Sequence, residues 1–220
     1  MKIPTEWTFK NKEVAENFDK HVNEQLPWYS LATQAVAHVC RHYLPKGGKV
    51  YDIGASTGNI GRALAPVLEE RNAWLIAIEE SEEMATQYDG PGELKNCKAE
   101  NYPFEEFDVA VCFLVLMFLQ PGTRVKLINL LRKKLRPGGA IIIFDKVEAP
   151  EGYFGTILRR LTMSWKLQNG ATAEDIVRKE LSLSGIQRPI HDRILGPTAK
   201  RFFTFGEFAG WVIEAEECQN

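Results

Sequence analysis

The chain has 220 residues, 45% of them hydrophobic and 25% charged, enough to bury a substantial core in one domain spanning 1–220. A net charge of −2 excludes a bulk electrostatic bias toward nucleic acid, and no apolar run reaches the length of a membrane-crossing helix. The N-terminus has no signal-like apolar stretch, and Cys40, Cys97, Cys112 and Cys218 form no CxxC pair, so reduced thiols and a cytoplasmic location are expected.

In chain order, residues 11–26 read as a helix with Val14, Phe18 and Val22 on one face. Pro27 interrupts it, and a second helix runs to about Leu44 with Leu31, Ala35, Val39 and Tyr43 recurring every four residues. Residues 1–45 are therefore expected to form an N-terminal helical cap. His38 and His42 stand one turn apart, but no third ligand has suitable spacing, so no metal site is assigned.

The next stretch, KVYDIGASTGNIG from Lys49 to Gly61, organises the chain. Its apolar run 50–53 predicts a buried strand, and residues 59–69 predict a helix. Gly54 suits a tight turn, Gly58 lets a ligand approach the backbone, and Gly61 lets the helix pack closely on the strand. Free N–H groups at such a helix start face whatever binds there. The spacing G-x-x-x-G-x-x-G, preceded by Asp52, differs from the dinucleotide pattern G-x-G-x-x-G. A strand–helix turn without any ligand is the plainer alternative.

A second strand, 73–78, ends at Glu79, whose carboxylate at the strand tip can accept both hydroxyls of a ribose. The plainer reading makes Glu79 a solvated acid heading the run 79–83, with Ser81 capping a helix. A third strand is predicted at 94–97 and a fourth, buried on both faces, at 107–113, with 114–119 continuing it. Pro121 opens a helix over 123–135 with Val125, Ile128, Leu131 and Leu135 inward. Arg132, Lys133, Lys134 and Arg136 cluster at its C-terminal end, Pro137-Gly138-Gly139 stops it, and 140–144 is a fifth strand.

Residues 146–198 carry two predicted helices, 153–167 and 173–183, and an excess of basic residues: Arg159, Arg160, Lys166, Arg178, Lys179, Arg188 and Arg193. They read as a lid or substrate-recognition insert, or as a helical hairpin with solvated faces. Strands 200–205 and 208–214 then form a hairpin around Gly206. Alternating strands and helices predict an α/β fold with a parallel sheet, and ligands in such folds bind at the strands' carboxyl ends. Asp52, Glu79, Ala99, Phe113 and Asp145 fall at or near those ends.

The ordered set Asp52-x-Gly54, Glu79, Phe107-Asp108 and Pro137-Gly138-Gly139 resembles the class I S-adenosylmethionine (SAM) methyltransferases. The segments FDKHVNEQLPWYS, WLIAIEESEEM, FLVLMFLQP, PGGAIIIFDK and WKLQNGATAEDI resemble the bacterial carboxy-SAM synthases. Those enzymes make carboxy-SAM from SAM and prephenate, in a route that modifies the tRNA wobble uridine. The resemblance implies a Rossmann-like, mostly parallel seven-stranded sheet with helices on both faces and a helical lid after the fifth strand. It implies SAM, S-adenosylhomocysteine or carboxy-SAM as cofactor. The residues it implies for binding are Tyr29, Asp52, Gly54, Ala55, Ser56, Gly58, Glu79, Glu80, Lys98, Ala99 and Phe113. Three of these depart from the family pattern. Ser56 replaces a glycine, Lys98 falls where an aspartate holds the adenine amino group, and Phe113 falls where an asparagine stands. Lys98 is accordingly expected to face solvent or to pair with an acid such as Glu100. The segment before the final hairpin, which in the family carries an arginine for the cofactor carboxylate, is shorter here, and Arg193 lies nearby.

The leading functional expectation is a SAM-dependent enzyme acting on a small molecule. Such transfer needs in-line positioning and a dry site more than covalent help, which fits the absence of a nucleophile–base motif. Asp145, Tyr153 and His191 are candidate bases. Arg193 or Arg159 would supply the cation that a carboxy-SAM synthase needs. A non-catalytic SAM-binding partner is the third reading, and a nicotinamide oxidoreductase fits least. No membrane and no nucleic-acid partner are expected; a homodimer is the assembly considered.

Overall fold

A computed structural model describes residues 4–215, so Cys218 lies outside the described residues. The strands are β1 (Lys49–Ile53), β2 (Trp74–Glu79), β3 (Glu93–Asn96), β4 (Phe107–Phe113), β5 (Leu135–Lys146), β6 (Lys200–Phe205) and β7 (Phe208–Glu214). They form one sheet in the order β3-β2-β1-β4-β5-β7-β6. The pairs among β1 to β5 are parallel, and β7 runs antiparallel between β5 and β6. The helices are α1 (Lys12–Glu16), α2 (Phe18–Gln25), α3 (Tyr29–Tyr43), α4 (Asn59–Arg71), α5 (Glu82–Ala85), α6 (Pro121–Lys134), α7 (Gly152–Gln168) and α8 (Ala173–Ser182). The order reverses between β1 and β4, which opens a crevice at their carboxyl ends.

All seven residues of β4 are buried. The two-residue period sends Val109, Val111 and Phe113 to one face, where Ala32, Val36 and Cys40 of α3 and Ile60 and Leu64 of α4 pack. Ala110 and Cys112 point to the other, against Leu127, Ile128 and Leu131 of α6. The thiols of Cys40, Cys97 and Cys112 are free.

Several sequence expectations change in detail. The first predicted helix breaks at Asn17, which caps the end of α1 before α2 begins. In α3 the inward face is Ala32, Val36 and Cys40, while Leu31 is exposed. The inward face is thus rotated about one residue from the predicted stripe, and it packs with Val109, Val111 and Phe113 of β4. In α6, Val125 is exposed and Arg124 is buried instead. Its guanidinium donates to the carbonyls of Leu119, Met117, Arg188 and Pro189, so it pins the segment that follows α8. Pro137–Gly139 does not terminate a helix. β5 already begins at Leu135, with a register shift against β4 between Phe107 and Val109.

Residues 114–119 do not extend β4. Leu114 turns into the left-handed region at φ 59°, and Leu116–Phe118 forms a 3-10 turn. Asp145, fully buried, holds that turn: one carboxylate oxygen accepts from Leu116 N–H at 2.7 Å and from Met117 N–H at 3.3 Å. Burial pushes its carboxyl up to about 7 despite these bonds.

Candidate functional site

β1 ends in the glycine turn. Gly54 and Ala55 both donate their backbone N–H to Ile78 O of β2, at 2.8 and 3.0 Å, which locks the turn to the neighbouring strand. Gly54 has φ +68°, and a Cβ there would lie 2.4 Å from Val115 Cγ2 in the segment after β4. Ser56, where glycine is usual in the resembled family, keeps the left-handed turn at φ 52°. Gly58 begins α4 at φ +94°. A Cβ on Gly58 would meet the backbone of Gly90 at 2.7 Å, and one on Gly61 would meet Pro91 at 3.1 Å. Those two glycines make room for the loop after α5, and not for a ligand or a strand as the spacing predicts.

Glu79 closes β2 opposite this turn. One carboxylate oxygen accepts from Ser56 N–H and the other from Ser81 N–H, each at 2.8 Å. A carboxylate has about four acceptor directions, so each oxygen keeps one for a hydroxyl. Burial pushes the Glu79 pKa up, and the N–H groups of Ser81, Ser56 and Glu80 pull it back. Ser81 also caps α5 as predicted, accepting from Met84 N–H at 3.2 Å. Asp52 lies deeper, 1% exposed, and accepts from the Gly61 N–H at the first turn of α4. Its Oδ2 has no partner, and burial, then the nearby Glu79, push it up to about 7.

A cleft of about 520 Å³ opens over these strand ends. Of the residues predicted from the sequence, Tyr29, Gly54, Ser56, Glu79, Glu80, Ala99 and Phe113 line it. Asp52 and Ala55 lie behind that wall, and Gly58 sits under the Gly90 loop. Lys98 stands outside, half exposed, and pairs with an acid as expected, although that acid is Glu80 at 3.4 Å and not Glu100. None of the five catalytic candidates lines the cleft: Arg193 and Tyr153 are exposed, Asp145 is enclosed beneath the 115–118 turn, and His191 and Arg159 lie outside the lining.

Aromatic rings dominate the wall beside Tyr29. Tyr29 meets Phe113 edge to face at 5.4 Å, Phe113 stacks on Phe144 at 5.0 Å, and Trp28 bridges Phe144 and Phe208. Phe113 thus replaces a polar family position with a ring that completes this cluster. α2 is tied to the glycine turn by Thr57, which donates to Asp19 at 2.5 Å, and by Arg62, which pairs with Asp19 at 3.0 Å.

Residues that pattern reading did not single out also line the cleft: Trp7 and Phe9 before α1, and His21 and Gln25 on α2. The available signal was two polar residues on an apolar stripe, since His21 and Gln25 continue the face of Val14 and Phe18.

The fold and geometry agree with comparison to known proteins. Residues 50–139 match the family model described as a methyltransferase domain. The carboxy-S-adenosyl-L-methionine synthase of Staphylococcus epidermidis is 29% identical over 85% of this chain and 84% of its own length. That of Wolinella succinogenes is 27% identical over 81% and 78%. The magnesium protoporphyrin IX methyltransferase of Synechocystis PCC 6803, solved with bound S-adenosylhomocysteine, has the same fold at TM-score 0.59 and 15% identity, over 88% of this chain and 86% of that one. No helix among the described residues is long and apolar enough to cross a membrane. With its matched domain, glycine turn and strand order, the chain has the class I methyltransferase fold and is similar along most of its length to the carboxy-SAM synthases.

Proposed function

We propose that the cleft binds SAM at its glycine-turn end and transfers a one-carbon group from it, or onto it, in reaction with a small molecule. The carrying observation is Glu79. Its carboxylate is fixed by the N–H groups of Ser56 and Ser81, with acceptor capacity left for two hydroxyls on the cleft wall. Gly54 offers backbone without a side chain on the same wall. When bound, SAM supplies a one-carbon unit activated by a sulfonium. The chain's part is to orient and to exclude water, and the Tyr29, Phe113 and Phe208 rings do so at the cleft wall. Burial raises the Tyr29 phenol well above its ordinary range, so it stays neutral and acts as wall and hydrogen-bond donor, not as base. Lys98, paired with Glu80 and carrying only donors, cannot accept from an adenine amino group. Adenine then rests on apolar contacts near Ala99 and Met84.

A second reading, carboxy-SAM synthesis proper within a cytoplasmic tRNA-modification route, is favoured by the relatives and by the lysines in the cleft wall. Native mass spectrometry of freshly purified protein separates the two readings. Co-purified carboxy-SAM supports the second, and SAM or S-adenosylhomocysteine alone supports the first. A protein that carries no adenosyl ligand and takes up none when SAM is added contradicts both.

A further inference from the structure

The cleft has a second chemical end that its glycine turn does not use. Lys146 closes β5, Lys166 lies on α7 and Lys179 on α8, and all three line the cleft with Glu180, while Glu79 and Glu80 line it at the glycine turn. Lys166 is 7% exposed and pairs with Glu180 at 3.2 Å, while the Glu180 side chain is 44% exposed. Lys146 donates to Gln187 Oε1 at 3.1 Å, a neutral partner. The Lys179 ammonium sits against the face of Trp7. His21 stacks on the other part of this wall, its ring 5.4 Å from that of Trp7, and its buried Nε2 has no partner; neither has Gln25 Oε1. Buried polar atoms without partners are costly unless something completes them. Burial, followed by the neighbouring Lys166, pulls the Lys179 ammonium down to about 5. His21 falls to about 4 through burial and through Lys179. Both shifts come first from burial, and a neighbouring lysine adds to each.

We propose that Lys166, Lys179 and His21 form a binding site for the carboxylate of the second substrate, with Gln25 accepting from a neighbouring hydroxyl or N–H of that molecule. An incoming carboxylate favours the protonated form of Lys179, which takes up a proton on binding and becomes ion pair and hydrogen-bond donor, and the carboxylate also accepts from His21 Nε2 in the tautomer protonated there. Lys166 contributes its remaining donors while Glu180 stays on the solvent side. Trp7, Phe9 and Phe18 flank this end, so the carboxylate is borne on an apolar or aromatic body. The inference rests on the SAM reading above, because it assigns the same cleft's other occupant.

Calorimetric titration tests it in two arms. Protein saturated with S-adenosylhomocysteine is titrated with 3-phenylpropionate and with its neutral analogue, 3-phenylpropionamide. The acid is expected to bind at least tenfold more tightly than the amide. Lys179→Met and Lys166→Met should each remove most of that difference, and Lys166→Arg should restore it. The second arm titrates SAM into the same variants, where affinity should stay within about threefold of wild type. Equal binding of acid and amide, or no binding of the acid while SAM binds, overturns the proposal. A matching loss of SAM affinity in the lysine variants also overturns it, by assigning the site to the carboxylate of SAM itself. Failure of wild-type protein to bind SAM instead refutes the cofactor reading, which keeps the two failures distinct. Circular dichroism confirms that each variant is folded.

Discussion

The two ends of the cleft are built in opposite ways. The glycine-turn end is made by the tips of β1 and β2 and by backbone groups: Gly54 and Ala55 donate to Ile78 O, and Ser56 and Ser81 donate to Glu79. The lysine end is made by side chains brought together from the segment before α1, from α2, from the last residue of β5 and from α7 and α8. A backbone-built site is fixed by sheet register and tolerates little change. A side-chain site can be altered one residue at a time, so it is where substrate choice can diverge while the fold stays the same.

Perturbations should separate the ends in a graded way. Gly54→Val is expected to do the most. Its Cβ would fall 2.4 Å from Val115 Cγ2 in a left-handed backbone. Overpacking costs about 1–3 kcal/mol and left-handed strain about 1–2 kcal/mol more, so thermal unfolding should shift down by several degrees and SAM binding should be lost. A variant with wild-type melting temperature and SAM affinity would mean the turn is not part of the pocket. Glu79→Ala comes next. It removes the ribose acceptor and orphans two N–H groups, so SAM binding should weaken by about 1–3 kcal/mol in a calorimetric titration.

Acid–base behaviour gives a third contrast. Asp52 and Asp145 both have folded pKa values of about 7, above the ordinary carboxyl value of 3.8. Between about pH 4 and pH 7 the unfolded chain gives up these protons and the folded one keeps them. Stability is therefore greatest below pH 4 for these two groups and is lost as pH rises to 7, with no further change above it. Asp52→Asn should remove one of the two contributions and flatten denaturant-measured stability across that window. An unchanged slope would place the titration elsewhere. The smallest effect is expected at Lys98→Ala, outside the cleft: its half-exposed pair with Glu80 contributes at most about 1 kcal/mol, and SAM affinity should hardly move. A tenfold loss there would put the ammonium in the site.

The same contrast explains what the sequence disclosed. Asp52, Gly54, Ser56 and Glu79 occur at strand ends with fixed spacing, and the structure places them at adjoining strand tips. All seven strands were predicted, β1, β2, β4 and β5 from apolar runs that alternate with helical periods, and the final hairpin kept its predicted bounds. The segment after β4 was not legible. Leu114 to Leu119 is apolar enough to pass for strand, and only Asp145, thirty residues on, turns it aside by accepting from Leu116 and Met117. The roles of Gly58 and Gly61 were misread for a similar reason, since the loop they admit, at Gly90 and Pro91, is distant in sequence. Lys166 and Lys179 were visible only as two members of a basic segment. That they face inward, while Arg178 and Arg193 face solvent, depends on how α7 and α8 pack over Trp7.

The central claim is that Glu79 and the glycine turn hold SAM while the lysine end does not. Calorimetric titration of SAM into the wild-type protein, Glu79→Ala and Lys179→Met tests it in one experiment. The account predicts one SAM per chain, affinity about tenfold or more weaker in Glu79→Ala, and little change in Lys179→Met. Unchanged affinity in a folded Glu79→Ala protein, or the larger loss in Lys179→Met, would contradict it.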